Sequence, residues 1–302
     1  MVELIKIDNI TQYNNLRGIE TLHPLVTAID VSKAKQLSPG RYQFNLYSIY
    51  LKEKKCGDLF YGRSHYDYQE GTVVALGPGQ IVGIPNEAIV EAPRGWALLF
   101  HPDLLNGTVL GELVSGYSFF SYEITEALHL SKAEQETVRG CFHKVLHELS
   151  HALDKHSRKL ITANIELLLS YCTRYYDRQF ITREDMHKGI PERLEILLND
   201  YFNSESPINQ GLPTVSFCAA SLHFSANYFG DLIKKDTGKS AQEFIHAKIV
   251  EFAKLRLMDH ALPVGEIAYS LGFKYPQHFT RLFKERVGMT PVEYRLNDFS
   301  RN

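Results

Sequence analysis

Hydrophobic and polar positions repeat one pattern twice in the last third of the chain. Residues 214–238 and 262–288 each have the spacing of a short helix, a turn and a second helix. A small residue, Ala219 in the first segment and Ala268 in the second, lets the two helices of each pair cross closely. The apolar positions that follow also coincide: Leu222 with Leu271, Phe224 with Phe273 and, after one extra residue in the second turn, Phe229 with Phe279. The pattern predicts two helix-turn-helix units.

The second helix of each predicted unit is amphipathic, with its apolar residues on one side only. Its opposite face carries short and polar side chains of the kind that fit the major groove of duplex DNA. In the first unit these are Ala226, Asn227, Gly230, Asp231 and Lys234, and in the second they are Pro276, Gln277, Thr280, Arg281 and Lys284. These are the candidate DNA-binding residues, and we expect base contacts from Gln277, Thr280 and Arg281.

A single helix is predicted to join the two units. Ser240-Ala-Gln-Glu243 is a capping box, so the helix should begin at Ala241 and continue to near His260. About 20 residues at 1.5 Å each give roughly 30 Å, which is close to the roughly 34 Å of one turn of duplex. A further capping box at 290–293 predicts a closing helix. The two second helices are therefore expected to enter successive major grooves.

These segments resemble those of a known family. Residues 191–297 are similar to the DNA-binding domain of AraC/XylS-type transcription regulators, and the run GFKYPQHFTRLFKERVGMTPVEYR at 272–295 is very similar to that family's second-unit motif. The resemblance implies a regulator without enzymatic activity that binds double-stranded promoter DNA and alters the recruitment of RNA polymerase, as an activator or a repressor. Many members carry Arg where this chain has Asp231, so Asn227 and Lys234 are expected to make most contacts of the first unit.

The first part of the chain has a different pattern. Residues 1–20 predict a short helix or a loose arm, and from Leu25 to about Phe100 the pattern is that of strands separated by turns. A small β-barrel or double sheet is predicted over about residues 20–105. The segment GTVVALGPGQIVGI at 71–84 resembles a cupin-like effector domain, which AraC-type regulators often carry, and this implies a small-molecule effector. His65 and Glu70 alone do not supply a cupin metal site, so no metal or other cofactor is expected.

Six aromatic residues of this region are candidates for lining an effector pocket. They are Tyr42, Phe44, Tyr47, Tyr50, Tyr61 and Trp96. The alternative is that most of them fill the core of the barrel.

Two long helices are predicted after the strands. Ser131-Lys-Ala-Glu134 is a third capping box, which opens the first helix and takes it to about Ala152, and the second helix covers about residues 157–179. In the family such a pair commonly forms the contact of a homodimer, and a run of three leucines at 167–169 gives the second helix a wide apolar face. Either helix could instead cover the barrel. Residues 180–190 are polar and precede Pro191, which marks a linker. The predicted fold is thus α+β with two domains: a cupin-like effector and dimerisation domain at 1–185, and an all-α DNA-binding domain at 191–302.

One motif favours a different function. His147-Glu148-Leu-Ser-His151 fits the H-E-x-x-H pattern of zinc peptidases, in which two His on one helix face bind the metal and Glu acts as general base. The residues expected to complete such a site are missing from the positions where they should follow. A metal-dependent hydrolase is therefore the alternative function, and an exposed polar helix face is the preferred interpretation.

Charge and cysteine content agree with a regulator that works inside the cell. The net charge is −2, and residues 191–302 hold 13 basic and 13 acidic side chains, so affinity for DNA should depend on dimerisation or on a partner protein. Four widely spaced cysteines, Cys56, Cys141, Cys172 and Cys218, are typical of reduced thiols. Neither a secretion signal nor an apolar stretch long enough for a membrane is apparent, so a cytoplasmic protein is expected.

Overall fold

The structure, a computed structural model, describes residues 4–53, 59–61, 64–66, 71–84, 94–123, 126–182 and 189–299, with only the backbone at 59–61, 64–66, 181–182 and 297–299. The chain divides into two units, Met1–Asp185 and Met186–Asn302. No described helix combines the length and the apolar composition that a membrane span requires.

The described strands of the first unit form two sheets. They are β1 (Leu4–Ile7), β2 (Val26–Asp30), β3 (Gly40–Phe44), β4 (Tyr47–Lys52), β5 (Leu59–Tyr61), β6 (Ser64–Tyr66), β7 (Thr72–Leu76), β8 (Gln80–Ile84), β9 (Gly95–Phe100) and β10 (Leu128–His129). One sheet has the order β1-β3-β8-β5-β6, and the other has the order β10-β7-β4-β9-β2. Strand β1 pairs in parallel with β3, and the remaining pairs are antiparallel.

A hydrophobic core lies between the two sheets. Tyr42 and Phe44 of β3 share it with Val74 of β7 and Ala97 of β9. Helix α1 (Ile10–Arg17) packs on β1 and β2, which are an edge strand of each sheet, and adds its own apolar residues to the same core. Strand β1 is absent from the prediction for residues 1–20. Among the described residues the two sheets are not joined into one, so the cupin-like closed barrel is not confirmed.

Three further helices belong to this unit: α2 (Val109–Leu113), α3 (Lys132–Leu149) and α4 (Ser157–Thr182). Short 3-10 segments lie at Val31–Lys33, Pro102–Leu105, Val114–Gly116 and Ser118–Ser121. The capping box predicted for α3 is present, because Ser131 and Glu134 each accept a hydrogen bond from the other's backbone N–H. Helix α3 packs on β2, β9 and α4, so its apolar side covers one of the sheets.

The apolar surface of α4 is smaller than the sequence suggested. Leu168 and Leu169 are fully buried within the unit, whereas Leu167 keeps 37% of its surface exposed. Successive residues of a helix point about 100° apart, so a run of three leucines does not lie on one face. Among the residues of this helix whose side chains the structure describes, the exposed apolar surface consists mainly of Leu160 and Leu167.

The second unit is entirely helical in its described part. Its helices are α5 (Ile190–Phe202), α6 (Ser206–Gln210), α7 (Val215–Ser221), α8 (Ala226–Thr237), α9 (Ala241–Leu257), α10 (Val264–Ser270), α11 (Pro276–Val287) and α12 (Pro291–Phe299). One hydrophobic core connects α5 with both predicted helix-turn-helix units and includes Phe202, Phe229, Ile249 and Phe283.

The predicted joining helix is α9. Its capping box is present at Ser240 and Glu243, and the helix ends at Leu257, three residues before the predicted end. The capping box of the closing helix α12 is also present, because the Thr290 N–H donates to the Glu293 carboxylate at 2.7 Å and the Glu293 N–H donates to the Thr290 hydroxyl at 3.2 Å. Both helices therefore begin where the sequence predicts.

Helix α9 holds the second unit together. The ammonium group of Lys248 is buried and bonds to Glu251 at 2.9 Å and to Glu195 of α5 at 3.1 Å, which balances its charge. Arg256 donates to the Phe202 carbonyl at the end of α5 and to the Ser270 hydroxyl at the end of α10, both at 2.7 Å. Since α5 also packs on α8, these contacts connect both helix-turn-helix units to α5 and α9.

Candidate nucleic-acid interface

The two helix-turn-helix units turn in the same way. After α7, the N–H of Phe224 donates to the Ala219 carbonyl at 2.9 Å, and after α10 the N–H of Phe273 donates to the Ala268 carbonyl at 3.0 Å. This bond closes a helix by a Schellman motif, in which the residue after the cap adopts a left-handed conformation. That residue is Gly272 in the second helix-turn-helix unit, with φ of 93°, and His223 in the first helix-turn-helix unit, with φ of 64°.

The second helix of each helix-turn-helix unit is its candidate recognition helix. These two helices, α8 and α11, start differently. Ser225 caps α8, and its hydroxyl accepts a hydrogen bond from the Tyr228 N–H at 3.3 Å. Helix α11 has no such side-chain cap, and Pro276 stands at its first turn instead. Proline suits this position because its missing N–H would have had no helical partner. The extra residue of the second turn lies between Phe273 and this proline, where it lengthens the approach to α11.

The inward faces of both recognition helices agree with the sequence pattern. Phe229, Leu232 and Ile233 of α8 are buried, and so are Phe279 and Phe283 of α11. Burial of two or three large side chains on one face fixes the rotation of each helix about its axis. The outward faces are therefore determined by the core.

The outward face of α11 presents several polar groups. Gln277, Arg281 and Lys284 are exposed, and Pro276 and Thr280 are partly exposed. The Thr280 hydroxyl donates to the Pro276 carbonyl at 3.2 Å, so its methyl group and its acceptor lone pairs remain available. Within the part of the chain that the structure describes, the guanidinium group of Arg281 makes no hydrogen bond or ion pair. All its donors are available to a ligand.

The outward face of α8 is flatter. Asn227 and Lys234 are exposed, whereas Ala226, Gly230 and Asp231 are partly exposed. A Cβ added at Gly230 would meet no atom within 4 Å, so the fold itself does not require glycine there. The missing side chain leaves room for close approach of another molecule. An acidic group at Asp231 restricts what can approach, because phosphate repels it.

Three exposed residues at the start of α11 lie outside the predicted set. Tyr275 is 46% exposed, the Lys274 ammonium group lies 5.6 Å from the centroid of its ring, and the centroid of the His278 ring also lies 5.6 Å from it. The available signal was the extra residue in the second turn, which places Lys274 and Tyr275 just ahead of the recognition helix. The outward surface is thus wider than the ten predicted positions.

Charge on these helices follows their dipoles. Lys234 and Lys235 occupy the last turn of α8, and Lys284 and Arg286 occupy the last turn of α11. Cations are favoured at the carboxyl end of a helix. The N-terminal ends, which carry partial positive charge, have no acidic residue in their first turns. Both ends of each helix therefore suit a polyanion.

The six aromatic candidates of the first unit do not form one group. Tyr42 and Phe44 belong to the core between the sheets, and Tyr50 packs against it. Tyr47 instead stacks on Phe100, with ring centroids 5.1 Å apart, outside that core.

Trp96 also faces away from the core between the sheets. Its ring lies 4.4 Å from that of His143 on α3, because successive residues of β9 point to opposite faces and Ala97 faces inward. The aromatic candidates therefore do not line one common pocket.

The side chains of Tyr61 and His65 lie outside the described residues, and so do Cys56 and Glu70 entirely.

The histidines of the H-E-x-x-H stretch are exposed on α3 and just beyond its end. The rings of His147 and His151 lie 4.4 Å apart, and a His151 ring nitrogen lies 2.6 Å from the His147 carbonyl. Among the described residues no three His, Cys, Asp or Glu side chains are arranged to hold a metal ion. The geometry gives no support to the hydrolase alternative.

Comparison with known proteins matches the second unit above all. Residues 218–297 match a family model described as "Helix-turn-helix domain". The chain is 30% identical over 109 residues to the "Uncharacterized HTH-type transcriptional regulator YtdP" of Bacillus subtilis (strain 168), a match that covers 36% of this chain and only 13% of YtdP. It is 24% identical over 233 residues to the "Uncharacterized HTH-type transcriptional regulator YijO" of Escherichia coli (strain K12), covering 75% of this chain and 78% of YijO.

Among solved structures, the chain resembles the C-terminal domain of the two-component response regulator yesN from Fusobacterium nucleatum. The identity is 28% and the TM-score is 0.31, and the match covers 34% of this chain and 95% of that domain.

Proposed function

We propose that this chain, whose second unit is a helix-turn-helix domain of the AraC type, is a sequence-specific DNA-binding regulator of transcription. The observation that carries the proposal is that the same helix-turn-helix geometry occurs twice on one hydrophobic core. Two helix pairs share the same turn geometry, and each presents a recognition helix whose outward face is polar and accessible. A helix of that kind fits the major groove of B-DNA.

The spacing of the two units supports simultaneous binding. Helix α9 has 17 residues and therefore extends for about 26 Å. One turn of duplex is roughly 34 Å long, so two recognition helices attached near the ends of α9 can reach the same side of the DNA. We infer that α8 and α11 enter successive major grooves of promoter DNA.

Base recognition is assigned mainly to α11. A free guanidinium group such as that of Arg281 can donate to both O6 and N7 of guanine, and the Gln277 amide can pair with N6 and N7 of adenine. Thr280 offers its methyl group to thymine and its oxygen to a donor. Lys284, one turn further along, is suited to a phosphate, and Pro276 allows the helix start to approach the DNA closely.

The first helix-turn-helix unit is proposed to set the position of the protein on the DNA more than to read the base sequence. Lys234 at the end of α8 is suited to phosphate, and Asn227 at its start can reach a base edge. Ala226 and Gly230 let the backbone approach, and Asp231 tolerates only a donor such as cytosine N4.

The N-terminal unit is proposed to bind a small-molecule effector and to pair two copies of the chain. Tyr42, Phe44 and Tyr50 lie at the core between the sheets, where a cupin-like barrel would hold its ligand. Leu160 lines a groove of about 630 Å³ between α3 and α4, and Leu167 is exposed two turns further along α4, which supports a homodimer contact there. The regulator would act in the cytoplasm by altering recruitment of RNA polymerase, without catalysis of its own.

Selection of bound sequences from a random pool of duplexes tests the function. The full-length chain should enrich one motif, and interference footprinting should show two clusters of contacts on one face, about 10 base pairs apart. A variant with Ala at both Lys234 and Arg281 should enrich nothing, whereas Arg193→Ala on the exposed side of α5 should enrich the parental motif. If the parent enriches no motif at low salt, the proposed function is wrong.

A further inference from the structure

A buried cation without a partner lies beside the core between the sheets. Arg17, the last residue of α1, is only 6% exposed. Its Nε and Nη2 atoms are buried and have no hydrogen-bond partner among the described residues. Within the described residues no carboxylate pairs with this guanidinium group. A buried charge in this state is strongly unfavourable unless something else compensates it.

The two unpartnered nitrogens lie on one edge of the guanidinium group. The N–H of Nε and one N–H of Nη2 point in the same direction, since Nη2 is the terminal nitrogen on the side away from Cδ. This edge is one of those that bind a carboxylate or a phosphate with a pair of parallel hydrogen bonds. The unpartnered donors therefore match the shape of an oxyanion.

Tyrosine hydroxyls surround the same point without supplying a negative charge. The hydroxyls of Tyr13 and Tyr50 lie beside each other, and the Arg17 guanidinium group is near both. Burial raises the pKa of Tyr13 and raises the pKa of Tyr50 well above its usual value of 10.0. Both hydroxyls are thus protonated at neutral pH, so neither is a phenolate partner for Arg17. Because the two hydroxyls bond to each other, the pair has one O–H donor left.

Another unpartnered polar atom lies one turn before Arg17 on the same helix. Asn14 Oδ1 is also buried without a hydrogen-bond partner among the described residues. Asn14 and Arg17 together account for three of the six such side-chain atoms in the described part of the chain. Buried polar atoms are normally paired. Their concentration at one place indicates a polar binding site rather than scattered defects.

The surroundings restrict what such a site can bind. Tyr13 and Tyr50 contact the core between the sheets, and the Tyr13 ring lies 6.2 Å from that of Phe44. Helix α1 covers the site where it packs on β1 and β2. Because the Arg17 nitrogens are covered by the fold, a partner for them has to be small, and the neighbouring aromatic rings favour an amphipathic molecule over a macromolecule.

We propose that this site binds the oxyanion head, a carboxylate or a phosphate, of a small organic molecule, with Arg17 as its counter-ion and the bonded pair of Tyr13 and Tyr50 supplying one further O–H donor. The inference deepens the proposed effector function of the first unit and rests on it. It does not depend on DNA binding by the second unit. The proposed site keeps Tyr50 from the six aromatic candidates. It also includes Tyr13 and Arg17, which the sequence pattern did not single out.

The test compares Arg17→Met in the full-length chain with Arg41→Met, which removes an exposed guanidinium group from β3. Thermal unfolding is followed by the fluorescence of Trp96, the only tryptophan of the chain, which reports on the first unit. Benzoate and phenyl phosphate serve as probes at about 10 mM, with benzamide as the neutral control, because a ligand that binds only the folded state raises the unfolding temperature.

The expected results distinguish a ligand site from a structural charge. Without probe, Arg17→Met should unfold at the same temperature as the parent or higher, since it removes an uncompensated buried charge. At least one anionic probe should raise the unfolding temperature of the parent and of Arg41→Met. Arg17→Met should weaken that binding by about tenfold to a hundredfold. Whichever anion acts more strongly identifies the head group as carboxylate or phosphate.

Two outcomes would overturn the proposal. If Arg17→Met alone lowers the unfolding temperature by several degrees, the guanidinium group stabilises the fold and is not a ligand site. If neither anion gives a shift that depends on Arg17, or if benzamide acts equally well, no oxyanion site exists. Selection of duplexes by the same Arg17→Met protein is measured separately, so failure of the anion site and failure of the DNA-binding function are told apart.

Discussion

Gly272 is the residue whose substitution tests the geometry of the second helix-turn-helix unit most directly. A Cβ added there would lie 2.6 Å from the carbonyl oxygen of Gly211 and 2.9 Å from that of Pro207. Both are backbone atoms, so they cannot move aside as the end of a flexible side chain can. Gly272→Ala would also place an alanine at φ of 93°. The change therefore combines backbone strain with a steric clash.

Gly288→Ala is the matched control, because it separates the two effects. Gly288 ends α11 with φ of 85°, and a Cβ added there would meet nothing within 4 Å. Strain at positive φ costs about 1–2 kcal/mol, and the smaller freedom of alanine in the unfolded chain returns about 0.4–1 kcal/mol. Gly288→Ala should therefore lower the free energy of unfolding by about 1 kcal/mol. Gly272→Ala adds overpacking of about 1–3 kcal/mol, for a total of about 2–4 kcal/mol.

Thiol labelling of the full-length chain across a urea series measures the difference. Cys218 is buried in α7 and reports on the second unit, whereas Cys172 is buried in α4 and reports on the first unit in the same sample. Gly272→Ala should move the labelling transition of Cys218 to lower urea than Gly288→Ala does, and should leave the Cys172 transition unchanged. Equal Cys218 transitions for the two variants would refute the close packing of this turn against residues 207–211.

Three further predictions concern the second unit and the thiols. His223→Gly should raise the free energy of unfolding of the second unit by up to about 1 kcal/mol, since it relieves a left-handed conformation at a non-glycine residue; a lower urea midpoint would contradict this. Arg281→Ala should cost about 1–3 kcal/mol of discrimination at one base pair, whereas Lys234→Ala should weaken binding to all sequences alike and reduce the salt slope by about one. Competition binding at several salt concentrations tells them apart, and a sequence-selective loss for Lys234→Ala would assign it to base recognition. Burial raises the pKa of Cys172 to about 12 and the pKa of Cys218 to about 11, so both thiols stay protonated at pH 8 and peptide-level mass spectrometry should find neither alkylated by iodoacetamide until the chain is unfolded; rapid labelling of either would show that it is not buried.

Local patterns were sufficient to predict most of the helical structure. The capping boxes at Ser131 and Ser240 predict the first residues of α3 and α9 correctly, because a cap is a set of bonds within four consecutive residues. The inward residues of both recognition helices follow from the helical repeat for the same reason. The extra residue of the second turn was visible in the alignment of the two units, although its consequence, an exposed Lys274 and Tyr275 ahead of α11, was not.

Features that depend on distant parts of the chain were not predictable. Strand β1 forms by parallel pairing with β3 across more than 30 residues, and its own four residues carry no distinctive pattern. Trp96 and Tyr50 are both aromatic residues in strands, and nothing in the sequence separates them, yet in the paired strands their side chains lie on opposite faces of the sheet. Arg17 would ordinarily be assigned to the surface, because charged residues are seldom fully buried without a partner. Its burial results from the packing of α1 over two edge strands.

The bonds of Arg256 have a consequence for the architecture of a binding site on DNA. This side chain joins α5, on which α8 packs, to the end of α10, so its bonds favour one fixed separation of the two helix pairs. Inserting one base pair between the two halves of an operator moves the second half by about 3.4 Å and rotates it by about 35° around the duplex axis. A jointed pair of modules would follow that displacement, whereas a rigid pair would not. The distance between the two halves is then as much a part of the recognised signal as the bases themselves, and natural sites would vary in sequence more readily than in length.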